Sequence, residues 1–268
     1  MEEGAELIVD GCFLGNYGYL KTDGLTLIHR GSLRNYGSGT VEFYAPESTL
    51  KLGSEREEWR YNGTDCLLNE GIILNAGKIE LYDNALMIMK GVLEGNMVQI
   101  RDHACLVNVG QIQWMDGSSI EISGEGRFHN QHRQSWSQEL TMHIAEGGIF
   151  NNFDCLDIQS GNINVDQGGS FGSKFGYITF GNNLSVLNYG LFAFCQGGDC
   201  SLLQGYFENH GYLHLVGPSG FVIDAPYGAV NPACLNNQGE VRIGDSDGYI
   251  RIDNGEFTGN EAIYRALE

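Results

Sequence analysis

Apolar and polar residues alternate in short runs along most of this chain. Lys78-Ile79-Glu80-Leu81, Ser119-Ile120-Glu121-Ile122, Asn162-Ile163-Asn164-Val165 and Tyr249-Ile250-Arg251-Ile252 show the pattern. A two-residue period over four or five positions, bounded by Gly, Asn or Asp, predicts short β-strands. The long amphipathic runs that a helical repeat needs are absent. Between the strands a phrase returns: an apolar residue, Asn, any residue, Gly, and often a second apolar residue. Clear copies are Asn16-Tyr17-Gly18, Asn35-Tyr36-Gly37, Asn69-Glu70-Gly71, Asn108-Val109-Gly110, Asn188-Tyr189-Gly190, Asn209-His210-Gly211 and Asn237-Gln238-Gly239. Neighbouring copies lie 19 residues apart at Asn16 and Asn35, 21 at Asn188 and Asn209, and 28 at Asn209 and Asn237. Repeats of roughly 20 to 30 residues are expected of a solenoid with one coil per repeat.

Asn and Gly have separate tasks in such a coil. Gly takes positive φ at a bend without a Cβ clash, and Asn tolerates left-handed geometry better than most residues. The Asn amide can also bond to neighbouring backbone, and Asn residues stacked on successive coils could bond to one another in a ladder. The competing explanation is ordinary β-hairpin turns, which favour adjacent Asn-Gly and closer strands. The phrases and their spacing resemble the right-handed parallel β-helix proteins, a class that includes filamentous-haemagglutinin-type adhesins, polysaccharide lyases and phage tailspikes. The resemblance spans roughly residues 5–257 and matches no specific family within that class. It implies an all-β fold, a single-stranded parallel β-helix of about ten coils, in one domain. It implies no activity, since one fold hosts many functions.

Composition agrees with a solenoid. The 268 residues include 39 Gly but only 4 Pro, and the apolar fraction of 42% is too high for a disordered chain. The formal net charge of −19 argues against nucleic acid as a partner, because no basic surface is available to displace counterions. It argues equally against docking on an anionic membrane. Charge of this size keeps long sheets apart in solution; an acidic mimic of nucleic acid would need its carboxylates arrayed along one face. No run approaches the roughly 18 apolar residues of a membrane span, so membrane insertion is not expected. The acidic start, Met1-Glu2-Glu3, does not read as a secretory signal, which leaves a cytoplasmic protein or a fragment of a secreted or cell-surface one. An apparently uncapped first coil favours a fragment or an end covered by a partner. Seven cysteines (12, 66, 105, 155, 195, 200 and 234) carry no zinc spacing. Most lie in apolar phrases and are expected in the core, while Cys195 and Cys200 are spaced to close a small disulfide loop.

The pattern fails in two places. Residues 53–64 and 129–139 are polar and read as loops leaving the stack, where binding groups on a rigid scaffold usually sit. The first carries Arg56, Trp59, Arg60 and Tyr61, which suit an anionic sugar by stacking and bidentate bonding, unless the arginines simply pair with Glu55, Glu57 and Glu58. The second carries His129, His132, Arg133 and Trp136, an aromatic plane beside charged groups, which suits a glycan or is merely a solvated loop. Asp154, Asp157 and Asp166 are the carboxylates to test against the roughly 6.5–9.5 Å pair of an inverting glycosidase. No catalytic residue, metal ligand or cofactor is assigned. The tail over 258–268 reads as a short helix capping the last coil, with Asn260 as N-cap and Ile263 and Leu267 as its apolar pair.

The function expected from these features is a non-enzymatic structural or interaction module, adhesin-like or self-assembling, with a protein partner or a second copy. The alternative is a glycan-binding or glycan-cleaving protein that uses both loops and takes a polysaccharide.

Overall fold

Four-residue strands with every second side chain turned inward are the building unit. Thr49–Leu52, Lys78–Leu81, Leu86–Met89 and Cys105–Asn108 each bury their second and fourth residues. The computed structural model describes residues 6–53, 66–225, 233–244, 247–260 and 263–265. They form an all-β parallel solenoid of about ten coils, and no helix occurs among them.

The chain divides into two compact units, Met1–His132 and Arg133–Glu268. In the first, each coil has three faces. The first face stacks Leu7–Asp10, Leu25–His29, Thr49–Leu52 and Lys78–Leu81, followed by the later halves of Val92–Ile100 and Gln111–Ile122. The second stacks Phe13–Asn16, Ser32–Asn35, Cys66–Asn69, Leu86–Met89, Cys105–Asn108 and Arg127–Asn130. The third stacks Tyr19–Thr22, Thr40–Phe43, Ile72–Asn75 and the earlier halves of the two long strands. All these pairings are parallel, and only the two long strands shift register, between Gly95 and Met97; elsewhere like residues meet, and Leu33, Leu67, Met87, Leu106 and Phe128 form one buried column.

The second unit repeats the succession. Its second face stacks Ile149–Asn152, Ser170–Lys174, Leu191–Cys195, Tyr212–Val216, Glu240–Ile243 and Ile263–Arg265. Its core is richer in phenylalanine than that of the first unit. Phe150, Phe171 and Phe192 stack with ring centroids 4.7 and 4.3 Å apart, and Phe180, Phe207 and Phe221 meet this inner cluster at tilted or edge-on angles. These are the arrangements aromatic quadrupoles prefer, and each buried ring contributes about 1.5–3 kcal/mol over its exposed state.

The recurring Asn is fully buried at positions 35, 69, 108, 130, 188, 209 and 237. In the first unit Asn16 Nδ2 donates to Asn35 Oδ1 at 2.8 Å, Asn35 Nδ2 to Asn69 Oδ1 at 2.7 Å, and Asn108 Nδ2 to Asn130 Oδ1 at 2.9 Å. Met89 takes the ladder position between Asn69 and Asn108. In the second unit Asn188 donates to Asn209 and Asn209 to Asn237, each at 2.7 Å, and Asn237 donates to the backbone carbonyl of Asn260 at 2.8 Å. The remaining amide valences go to backbone. Asn188 Nδ2 also donates to the Tyr212 carbonyl, and Gly190 N donates to Asn188 Oδ1. The two ladders occupy different bends. In the first unit the Asn ends the second-face strands, whereas Asn188, Asn209 and Asn237 end first-face strands. Asn75-Ala76-Gly77 ends a third-face strand, so one phrase marks all three kinds of corner.

The glycine of the phrase is needed for closeness, not for the positive φ expected above. Gly71, Gly110, Gly190, Gly211 and Gly239 are not among the left-handed residues. A Cβ on Gly110, Gly211 or Gly239 would stand 2.2 Å from the carbonyl oxygen of the corresponding glycine one coil earlier. Left-handed geometry falls instead on Asp83, Asp102 and Glu125, at the bends before Leu86–Met89, Cys105–Asn108 and Arg127–Asn130.

Two further expectations are corrected. Residues 129–139 are not a loop: Arg127–Asn130 and Gln134–Ile144 are strands, and only the short turn between them leaves the sheets. Most of their polar side chains hold outward positions, so alternation persists beneath a polar surface, with Asn130, Gln134, Trp136 and Leu140 inside. The tail is not helical where it is described. Tyr249–Gly259 is a strand, and Ile263–Arg265 adds to Glu240–Ile243 in parallel. Asn260 explains this: its carbonyl accepts the last ladder bond, and its N–H donates to the Asn237 carbonyl. That draws the chain onto the open strand edge, whose unpaired groups offer more bonds than an isolated single helical turn.

Replacing Asn209 by Ala leaves one N–H of the Asn188 amide without its acceptor and Asn237 Oδ1 without its donor. Two orphaned buried groups predict a loss of about 2–5 kcal/mol, read as a lowered urea midpoint. The exposed neighbour variant Gln238→Ala is expected to stay within about 0.5 kcal/mol of the parent.

Candidate functional site

The phrase also places one residue between the ladder Asn and the close-packed Gly, pointing out to solvent. In the first unit this position stacks Tyr17 on Tyr36, with centroids 3.9 Å apart and planes within 8°. Arg34 covers Tyr36 at 4.6 Å and is bonded to Glu70 at 3.0 Å. Glu70 and Lys90, 3.9 Å apart, continue the column as the next two residues at this position. The Glu70 carboxylate holds Arg34 above its ordinary pKa.

In the second unit the same position carries Tyr189 and His210, stacked at 4.7 Å and 13°. Beside them runs the first residue of each second-face strand: Ser170, Leu191, Tyr212 and Glu240. Between the two columns lie Gly169, Gly190, Gly211 and Gly239, whose lack of side chains leaves an open trough of about 960 Å3. Its walls are Tyr189, Leu191, His210 and Tyr212, with Asp166, Gln167 and Glu240 at the ends. The floor is backbone already paired to itself, with Leu191 N donating to Gly169 O, Tyr212 N to Gly190 O and Glu240 N to Gly211 O.

The charged groups around the trough are each held by a partner. His143 Nε2–H donates to Asp166 at 2.8 Å, and His210 Nε2–H donates to Glu208 at 2.8 Å. Arg242 binds Glu240, which raises the pKa of the guanidinium, and lies 5.8 Å from the Tyr212 ring centre. Burial, and then the charge of Arg242, push the pKa of His214 down, against a smaller opposing effect of Glu240. A volume in the range of ligand clefts, partly apolar walls and a few oriented polar groups are the features of a binding site.

The residues singled out from the sequence lie elsewhere. Arg56, Trp59, Arg60 and Tyr61 fall outside the described residues. His129 and His132 belong to the first unit, Arg133 and Trp136 to the second. His129 is half-buried on a strand, and burial followed by the nearby Arg127 charge lowers its pKa. His132 and Arg133 are exposed in the turn. Trp136 is 2% exposed and packs edge-on against Phe150 at 6.4 Å, so its ring faces the core and presents no plane to a sugar.

The carboxylates tested as an acid pair hold separate posts. Asp154 caps the Cys155 N–H, Asp157 accepts from Gln159 and Ser135 on the third face, and Asp166 stands at the trough with His143. All seven cysteines are free thiols. Cys200 alone is fully buried; Cys66, Cys105 and Cys234 sit half-buried on outward positions, where burial pushes their thiols up. The core placement expected for Cys66, Cys105, Cys155 and Cys234 is thus corrected, because strand alternation turns these positions outward or only partly inward. Among the described residues, no group of three or more His, Cys, Asp or Glu is placed to hold a metal ion.

The trough residues were visible in the sequence as parts of the phrase, in Asn188-Tyr189-Gly190-Leu191 and Asn209-His210-Gly211-Tyr212. The available signal was the run of aromatic residues at its one free position. No protein-family model and no curated protein matches the chain. Among solved structures, a TibC-catalysed, hyper-glycosylated fragment of TibA is similar at 12% identity and a TM-score of 0.32, over 94% of this chain and 99% of that one. So distant a likeness leaves function to the site itself.

The lowered pKa of His214 has a consequence for stability. The unfolded chain binds this proton more tightly than the folded one, so stability is full above the unfolded value of about 6.5 and is lost as pH falls through the folded value. His214→Gln is expected to flatten the fall in urea midpoint between about pH 7 and about pH 5. An unchanged slope would place the acid sensitivity elsewhere.

Proposed function

We propose that this chain is a non-enzymatic interaction module of the adhesin-like kind, in which the solenoid is the scaffold and its trough the recognition surface. The observation that carries this reading is the trough of the second unit. Exposed rings at Tyr189 and Tyr212 flank a glycine floor whose backbone is held by the Asn ladder. A ring fixed on such a backbone loses little further freedom on binding, which favours recognition.

The arrangement of acids and bases supports binding over turnover. Catalysis by acid and base needs two titratable groups converging on one reacting bond. Here Asp154 caps a backbone N–H, Asp157 is bonded to its neighbours on the third face and Asp166 to His143, so the three carboxylates hold separate posts and do not form a facing pair. The net charge of −19 makes a nucleic-acid partner a poor fit. Self-association through exposed strand edges is a second route to the same kind of role.

Incubation of the protein with a panel of plant, bacterial and animal polysaccharides is expected to release no reducing ends and no unsaturated uronate absorbance. Turnover that disappears in Asp157→Asn or Asp166→Asn would establish an enzyme in place of a binding module. Light scattering across about a hundredfold range of concentration, the window in which a micromolar dimer would declare itself, is expected to show rising mass. A constant monomer would remove the self-assembling form and leave recognition of a separate partner.

A further inference from the structure

We infer that the trough between the Tyr189–His210 column and the Leu191–Tyr212 column binds an extended, uncharged carbohydrate chain. The inference rests on the reading of this protein as an interaction module and names the ligand class of that module.

Three features of the trough select this class. The first is its floor. Gly169, Gly190, Gly211 and Gly239 present Cα–H groups and peptide bonds, and the carbonyls of Gly169, Gly190 and Gly211 already accept hydrogen bonds from the next coil at 3.0, 2.8 and 2.9 Å. A peptide adding as a strand needs free backbone donors and acceptors at a sheet edge, and the floor at Gly169, Gly190 and Gly211 has these carbonyls already bonded. A ligand must therefore lie against it through an apolar face and use its own rim for hydrogen bonds.

The second feature is the wall. Tyr189 and Tyr212 are 47% and 48% exposed, half in contact with the protein and half open to a ligand. Each joins an aromatic ring to a hydroxyl that donates and accepts. A pyranose has the matching form, one face of C–H bonds and an edge of hydroxyls. Successive coils repeat ring, glycine and wall at the strand spacing of about 4.8 Å, so a ligand built of repeating units meets repeating contacts.

The third feature is charge. Asp166 and Glu240 line the trough and Glu208 holds the lining His210, on a chain of net charge −19, which repels uronate, sulfate and phosphate groups. Each of these carboxylates is already bonded to His143, His210 or Arg242 respectively. They remain able to accept from hydroxyls, but none is an unsatisfied anion waiting for a cationic ligand.

The test is titration of the whole protein, by calorimetry and ligand-observed NMR, with three probes: neutral hexose oligosaccharides, oligogalacturonate and oligolysine. Neutral oligosaccharides are expected to bind, and Tyr189→Ala and Tyr212→Ala are each expected to weaken them about tenfold. Ser170→Trp, which fills the trough from an outward position away from the ladder, is expected to block them. Tyr177→Ala, an exposed tyrosine outside the trough, is expected to bind as the parent does. Far-UV circular dichroism and the urea midpoint report whether each variant is folded.

Neutral binding that ignores the trough variants would overturn the site. Oligogalacturonate binding as tightly as the neutral chains would overturn the ligand class. If oligolysine alone binds and the trough variants abolish it, the carbohydrate inference falls and the interaction module stands. If no probe binds while light scattering shows assembly, the inference falls in the same way. Turnover of a bound neutral chain would keep the site and overturn the non-enzymatic reading.

Discussion

A buried asparagine amide is the constraint on which the rest of this structure depends. It brings two donors and two acceptor lone pairs into the interior, and each costs free energy if left unpaired. Another coil of the same shape, one strand spacing away, satisfies them. Asn35 therefore reaches Asn69, and Asn188 reaches Asn209 and through it Asn237. The side chain that ends each strand thereby sets the register of the next. A one-residue slip would break the ladder and also turn every core side chain outward. Polar specificity and apolar burial thus demand the same alignment.

The glycines follow from the ladder. Coils held at amide-to-amide distance bring the backbone after each Asn against the carbonyl of the preceding coil, as a Cβ on Gly190 would show at 2.4 Å from Gly169 O. Side chains are excluded along that line. The residue before the glycine and the residue after it must then lie on either side of a bare strip. In the first unit the free position holds a tyrosine stack followed by an ion pair. In the second it holds Tyr189 and His210, and the strip is open enough to be a cleft. The trough is a by-product of the scaffold rule, decorated by the one residue in the phrase that the rule leaves free.

Much of this was legible in the chain. Two-residue alternation located the strands, because burial of every second side chain is a local property that one strand displays alone. The recurrence of Asn and Gly located the bends and suggested the ladder. Misreadings arose where one composition serves two geometries. Gln134-Ser135-Trp136 reads as a polar loop, yet its polar members share a strand with buried Trp136, and alternation is hard to see when outward residues outnumber inward ones. The tail pattern of Ile263 and Leu267 suits a helix locally, but the open edge of Glu240–Ile243 offers backbone pairing over Ile263–Arg265 that no local pattern reveals.

Taken alone, the sequence determined the all-β class, the coil repeat and the identity of the ladder residue, because these follow from periodicity and from the valences of single side chains. Tertiary structure alone decided which corner each Asn-x-Gly phrase turns, since Asn35 ends a second-face strand while Asn209 ends a first-face strand. It also decided that the phrase glycines are required by contact between coils and not by their own φ. It decided as well that Tyr189, His210 and Tyr212 converge on one trough while Trp136 is in the core. The reason is common to all three. Each depends on what the neighbouring coil presents at the same height, and residues about 20 positions apart in the chain become neighbours only after the coils have stacked.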